Sequence, residues 1–139
     1  MMQVFDTLTR SEQELSPRDD HVGIYACGPT VYAPVHVGNA RPYVVFSLLK
    51  RFLEHEKLRV TFVANVTDVN DKIYDAAREA GESSEDLARK MTRRYIEDTD
   101  RLGLGRPDHE PLASETIGPI IDLIADLISS GHAYAANGD

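Results

Sequence analysis

The stretch Val22-Gly23-Ile24-Tyr25-Ala26-Cys27-Gly28-Pro29, followed from His36-Val37-Gly38-Asn39 by a long apolar-periodic segment, decides how this chain folds. Val22 to Cys27 is short, apolar and β-prone, which predicts a buried strand, and Gly28-Pro29 ends it. A loop follows through Thr30-Val31-Tyr32-Ala33-Pro34. Val44, Val45, Leu48, Leu49, Phe52 and Leu53 then recur at helical spacing and make one wide apolar stripe. Pro42 fits such a helix only in its first turn, where its missing N–H costs nothing, so the helix is expected to begin close to Gly38-Asn39. Arg59 to Val66 reads as a second strand. Strand, loop, helix, strand is one βαβ unit, which predicts parallel strands and a right-handed crossover. The loop after the first strand and the start of the helix then form the mouth where ligands bind in such sheets.

The segments around this unit are plainer. Thr7 to Asp20 is polar, contains Pro17 and reads as an arm or loop. Beyond Asp68 the pattern is helical. Asp71 to Ala80 is short and closed by Gly81, with Asp68 or Asn70 expected as its N-cap. Ser83 is placed to cap a longer helix from about Ser84 to Leu102, in which Leu87, Met91 and Tyr95 stack. Gly103-Leu104-Gly105-Arg106-Pro107 breaks it. Ile117, Ile120, Ile121, Ile124, Leu127 and Ile128 form a third stripe, with a start or a kink expected at Pro119 and a stop at Gly131. His132 to Ala136 reads as a strand, and Asn137-Gly138-Asp139 is a hairpin-turn signal without a returning strand. The chain is therefore expected to be cut from a longer protein, with an unpaired strand edge exposed.

Composition narrows the class. The 139 residues carry 15 Lys+Arg against 23 Asp+Glu, a formal charge of −8, and they are 42% hydrophobic, enough to offset the entropy of ordering and to exclude disorder. One Cys excludes a disulfide scaffold, no run of apolar residues is long enough for a membrane helix, and the N-terminus lacks signal-peptide character, so a reduced, cytoplasmic protein is expected. The charge is uneven: residues 1–70 have net −1 and residues 71–139 net −7. The second half repels phosphate backbones, and the near-neutral first half tolerates an anionic small molecule.

Three clusters carry possible chemistry. His36, Gly38 and Asn39 stand before the strongest helix, whose N-terminus attracts phosphate; Gly38 permits close backbone approach, and the two side chains can donate to phosphate oxygens. A lone His before a helix is otherwise a cap, but the mouth of a βαβ unit favours a ligand role. Cys27, at the carboxyl end of the first strand, is either a small buried apolar residue or one ligand of a zinc site completed elsewhere. Asn65-Val66-Thr67-Asp68-Val69-Asn70-Asp71-Lys72 puts polar groups at the same sheet edge, where capping does not exclude Thr67 facing a ligand.

Taken together, Tyr25-Ala26-Cys27-Gly28-Pro29-Thr30-Val31-Tyr32, His36-Val37-Gly38-Asn39-Ala40-Arg41 and Asn65 to Ile73 resemble the N-terminal part of the cysteinyl-tRNA synthetase family. Phe5 to Arg10, Arg106-Pro107-Asp108 with Glu110-Pro111, and Gly131-His132-Ala133-Tyr134 are similar to the family in order and spacing. The resemblance implies a class I synthetase with a Rossmann-type parallel sheet: residues 1–105 the N-terminal half of the catalytic domain, residues 106–139 the start of a connective insertion near the tRNA acceptor end. It implies activation of L-cysteine by ATP with Mg²⁺ and transfer to tRNA(Cys), in a full-length protein expected to be monomeric and not bound to membrane. It assigns His36 and Asn39 to catalysis, His36, Gly38 and Asn39 to ATP, Gly28, Thr30 and Thr67 to the cysteine pocket, and Cys27 to a Zn²⁺ that selects a thiol over a hydroxyl. Asn39 stands where the commonest signature has a second His, and Asn70 where many members have a carboxylate. The other zinc ligands, the lysine-rich loop and the anticodon-binding domain fall beyond the chain, so the chain alone is expected to be inactive. A cysteine ligase with an amino-sugar acceptor and a non-catalytic nucleotide-binding module are the alternatives.

Overall fold

A computed structural model describes residues 2–136. The chain runs β1 (Gln3–Asp6), β2 (Ser11–Glu14), β3 (His21–Ala26), α1 (Val37–His55), β4 (Arg59–Ala64), α2 (Asp71–Ala80), α3 (Ser84–Asp100), a 3-10 turn (Ser114–Thr116) and α4 (Ile117–Ser129). The βαβ expectation holds: β3 and β4 pair in parallel, from His21 opposite Arg59 to Ala26 opposite Ala64, and α1 connects them. The described parallel sheet has these two strands. On the other edge of β4, the segment 108–113 runs alongside: Asp108 N–H donates to the Phe62 carbonyl, Ala64 N–H to that of His109 and Val66 N–H to that of Pro111.

The core follows from this order. Val22, Ile24 and Ala26 of β3 and Phe62 and Ala64 of β4 alternate inward and meet Leu53 of α1. A second cluster joins Val31 and Val66, just beyond the strands, to Ile73 and Ala77 of α2 and Leu87, Ala88 and Tyr95 of α3. α2 starts at Asn70, whose Oδ1 accepts from Lys72 N–H, and ends at Gly81 in the left-handed region with φ 68°. Ser83 caps α3 by accepting from Asp86 N–H. Asp68 caps nothing; its carboxylate accepts from the Ser114 N–H and hydroxyl and ties the second core to the 3-10 turn.

Several expectations are corrected. The polar arm is not a loop throughout, because β1 and β2 form an antiparallel hairpin with Gln3 opposite Glu14 and Asp6 opposite Ser11. Its reversal is made by Asp6, whose carboxylate accepts from Leu8 N–H, Thr9 N–H and the Thr9 hydroxyl, with Arg10 at φ 54°. α1 begins at Val37, which puts Pro42 in the second turn, where its missing N–H removes the i→i−4 bond to the Gly38 carbonyl. The α1 stripe is only partly the buried face. Of its members Leu53 is buried and Leu49 half-buried, whereas Val44, Val45, Leu48 and Phe52 are exposed, and Tyr43 and Ser47 are buried in their place. α4 begins before Pro119, which falls in its first turn, and no residue of α4 is buried. His132 to Ala136 is not a strand. The turn signal at Asn137-Gly138-Asp139 lies outside the described residues. Among the described residues no helix is long and apolar enough to cross a membrane.

Candidate functional site

The carboxyl ends of β3 and β4 and the start of α1 bring most of the singled-out residues together. Cys27 and Gly28 follow β3, Asn65 and Thr67 follow β4, and the 29–31 loop is laced to the second strand. Val31 N–H donates to the Thr67 carbonyl at 3.1 Å and Thr67 N–H to the Pro29 carbonyl at 3.0 Å, so Thr30 and Thr67 stand side by side in a parallel bridge. Cys27, Gly28, Pro29, Asn39, Pro42, Tyr43 and Tyr95 line a cavity of about 30 Å³ at this mouth. A larger cavity, about 500 Å³, opens between α2, α3 and Leu112-Ser114, away from these residues.

Asn65 organises the floor of the mouth. Its Oδ1 accepts from Gly28 N–H at 3.0 Å and from the Tyr25 hydroxyl at 3.2 Å, while its Nδ2 donates to Thr67 Oγ1 at 3.1 Å. Accepting at Oγ1 leaves the Thr67 hydroxyl proton free for another partner. Gly28 is obligatory here, because a Cβ at position 28 would lie 1.5 Å from the Asn65 carbonyl oxygen. The sequence reading kept Asn65 inside a polar run without assigning it a role. Its one signal was its place directly after a strand.

His36 and Asn39 cap α1 reciprocally. His36 Nδ1 accepts from Gly38 N–H at 3.0 Å, and Asn39 Oδ1 accepts from His36 N–H at 3.3 Å. This capping box places the proton of a neutral His36 ring on Nε2, as a donor toward solvent, and leaves the Asn39 NH₂ as a second donor. The Gly38 N–H is thus engaged in the cap. A Cβ at position 38 would lie 2.7 Å from His36 Cε1, so the glycine also makes room for the capping ring.

Cys27 is exposed, and its thiol faces only the Gly28 carbonyl at 3.7 Å. Among the described residues no group of three His, Cys, Asp or Glu side chains is disposed to hold a metal ion. The donors present therefore amount to one soft ligand of the four a zinc site needs, and this chain's residues alone do not fit a closed zinc site.

Behind the mouth lies a partly buried polar set, in which sequence reasoning places Arg106 and Glu110 in a family pattern and Tyr95 in a helical stripe, and does not single out Tyr43. The Tyr43 hydroxyl donates to the Gly105 carbonyl at 2.7 Å, and its ring meets Tyr95 edge-on at 6.4 Å. The Tyr95 hydroxyl donates to Glu110 Oε1, and Glu110 Oε2 pairs with Arg106. Burial first, then the Glu110 charge, pushes the Tyr95 phenol well above its ordinary value, so it stays protonated and donates its hydrogen bond to Glu110.

Comparison with known proteins identifies the family. The family model described as the tRNA synthetases class I (C) catalytic domain matches residues 13–139. The cysteine–tRNA ligase of Clostridioides difficile is 45% identical over 139 residues, which is 99% of this chain and 30% of that protein. The cysteine–tRNA ligase of Rhodospirillum centenum is 46% identical over 136 residues, 97% of this chain and 30% of that protein. The chain thus spans about 30% of the length of the curated relatives it matches.

Proposed function

We propose, from the premise that the chain belongs to the family of class I (C) tRNA synthetase catalytic domains, that it forms the ATP and cysteine mouth of a cysteine–tRNA ligase. The observation that supports this reading is that Cys27, Gly28 and Asn39 line one cavity at the carboxyl ends of two parallel strands, with Thr30 and Thr67 bridged at those ends and His36 capping the helix that carries Asn39. In the whole ligase the cysteine carboxylate attacks the α-phosphate of Mg²⁺-bound ATP, pyrophosphate leaves, and a ribose hydroxyl at the tRNA 3′ end then displaces AMP from the adenylate.

This chain's residues serve the first of those steps. His36 Nε2–H and the Asn39 amide donate to phosphate oxygens as negative charge builds there, and the capping box holds both donors in place beforehand. Gly28 keeps the backbone close to β4, and Thr30 and Thr67 present hydroxyls to the amino acid. Cys27 would offer one sulfur to a zinc site whose other ligands are supplied from outside this chain. Residues 1–105 form the first half of the catalytic domain, and the segment from Arg106 leads into a connective insertion. The names of the relatives favour tRNA over an amino-sugar as acceptor.

The test is a titration of the ¹⁵N-labelled chain with Mg·ATP. Shifts centred on Val37 to Asn39 and lost in His36→Ala are expected; shifts elsewhere, or unchanged in that variant, overturn the assignment. The chain alone is expected to give no cysteine-dependent ATP–pyrophosphate exchange at native rates, and full exchange by it would overturn the need for outside residues.

A further inference from the structure

α1 is anchored unevenly. Its second half packs on the sheet through Phe46, Leu49 and Leu53. In its first two turns Val37, Gly38, Asn39, Arg41 and Pro42 are all exposed, and the first buried side chain is Tyr43. Tyr43 follows Asn39 by one helical turn, so the two lie on one face, and both line the small cavity that Cys27 and Gly28 close from the strand side. What fixes Tyr43 therefore fixes the turn that carries His36 and Asn39.

Tyr43 is fixed from outside its own helix. The Gly105 carbonyl holds its hydroxyl, and the Tyr95 ring holds its ring. Tyr95 is itself clamped: its hydroxyl donates to Glu110, and the Arg106 guanidinium stands 5.8 Å from its ring centroid. Arg106 is spoken for on both sides, donating to Thr99 Oγ1 at 2.9 Å and to Asp100 Oδ1 at 3.2 Å as well as to Glu110. Glu110 sits between His109 and Pro111, whose carbonyls accept from Ala64 and Val66 N–H. Its position is thus referenced to the end of β4, the strand that delivers Asn65 and Thr67.

We propose that Arg106 and Glu110 are positioning residues for the mouth: through Tyr95 and Tyr43 they set the first turns of α1, and so His36 and Asn39, against the carboxyl ends of β3 and β4. The proposal deepens the reading of that mouth as an ATP site and rests on it. It gives a task to the Arg106-Pro107-Asp108 and Glu110-Pro111 pattern, which the chemistry itself does not use. Neither residue touches the substrate; both act through the two tyrosines.

The test uses amide hydrogen exchange and a Mg·ATP titration on the 139-residue chain. The variants are Tyr95→Phe, which deletes one hydroxyl and keeps the ring, Glu110→Gln, which keeps an acceptor for Tyr95, and Glu110→Ala. The Ile24 amide, inside the β3–β4 pairing, reports global opening. Protection at Tyr43 and Val44 is expected to fall about tenfold more than at Ile24 in Glu110→Ala, and less in Tyr95→Phe and Glu110→Gln. The Mg·ATP Kd read at Gly38 and Asn39 is expected to rise in the same order. An equal loss of protection at Tyr43 and Ile24, or none, overturns the positioning role and leaves a merely structural one. Uneven loss of protection with an unchanged Kd overturns the link to ATP. If the parent chain shows no response to Mg·ATP, the nucleotide reading fails by itself, and the exchange arm still decides whether Glu110 positions α1.

Discussion

In the β3–α1–β4 region Leu53 and Phe62 are 1% exposed, while α4, with seven large aliphatic side chains in thirteen residues, has no buried residue at all. The two regions are made of similar material. They differ in what the chain places nearby. α1 is flanked in sequence by β3 and β4, and a parallel pair requires the intervening helix to lie across it, so its partner surface is guaranteed by connectivity. Among the described residues the 3-10 turn is the main element against α4. Periodicity creates an element that needs a partner, and topology decides whether one arrives.

The sharpest way to break this contrast is to empty the first region. Phe62→Ala removes a side chain packed among Val22, Ile24, Leu53 and Phe46. A loss of about 3–5 kcal/mol is expected in denaturant unfolding, enough to unfold much of a domain of this size. A loss near 1 kcal/mol would mean that the βαβ core is as loosely held as α4.

Gly28 and Gly23 sharpen it at the strand ends. Gly28→Ala drives a Cβ into the Asn65 carbonyl and breaks the Gly28 N–H to Asn65 Oδ1 bond, at a cost of about 3 kcal/mol, near the top of the overpacking range. Gly23 lies within β3, the strand that Gly28 follows, with nothing within 4 Å of an added Cβ, and Gly23→Ala is expected to change stability by no more than about 0.5 kcal/mol. The pair is read by parallel denaturation curves. Equal effects would show that the approach of β3 to β4 at Asn65 is not what Gly28 protects.

What the sequence made legible follows the same division. α2 and α3 were readable to within a residue or two because their caps, Asn70, Gly81 and Ser83, are local devices that work through neighbouring N–H groups. The placement of Cys27 and Thr67 after the carboxyl ends of two paired parallel strands, and of His36 at the start of the connecting helix, was readable because a βαβ unit has few ways to fold. The β1–β2 hairpin was not, since its strands are polar and exposed and its turn depends on Asp6 folding back on Thr9. Nor was the buried face of α1: Tyr43 and Ser47 face inward because Tyr95, Gly105 and β4 lie there, and nothing near them in sequence indicates it. Asn65 and the Arg106–Glu110 pair are long-range features of the same kind.

The capping box tests the mouth at a smaller scale. Asn39→Ala removes the acceptor for His36 N–H and is expected to cost about 1 kcal/mol. Calorimetry checks it, and no loss would show that α1 does not depend on its cap.

Acid sharpens the comparison further, because the first region carries a charge-dependent tie that α4 lacks. Lys50, and then the Phe62 N–H, hold the Asp108 carboxyl below its ordinary value. The folded-state pKa is therefore lower than the unfolded one. Its stabilisation is complete above the ordinary carboxylate value of about 3.9 and disappears as pH falls through the folded value. Asp108→Asn is expected to cost no more than about 1 kcal/mol at neutral pH, since the pair is partly exposed, and nothing once the native carboxyl is protonated. Unfolding curves at pH 7 and pH 2 check this, and a gap of equal size at both would assign the loss to packing.

The smallest expected effect lies on α4. Ile and Ser have nearly the same helix propensity, so Ile124→Ser changes what the face offers a partner without changing the helix's intrinsic tendency to form. With Ile124 48% exposed, the change in unfolding free energy of the isolated chain is expected to stay within about 0.5 kcal/mol. The same substitution at Leu53, 1% exposed on α1, leaves a cavity with a hydroxyl in it and costs several-fold more. If Ile124→Ser matched Leu53→Ser, α4 would already have a partner in solution, and the difference between the two regions would be one of partner rather than of exposure. Dilution then separates the two sources: a loss that depends on chain concentration assigns the cover to a second copy, and one that does not assigns it to contacts within the chain.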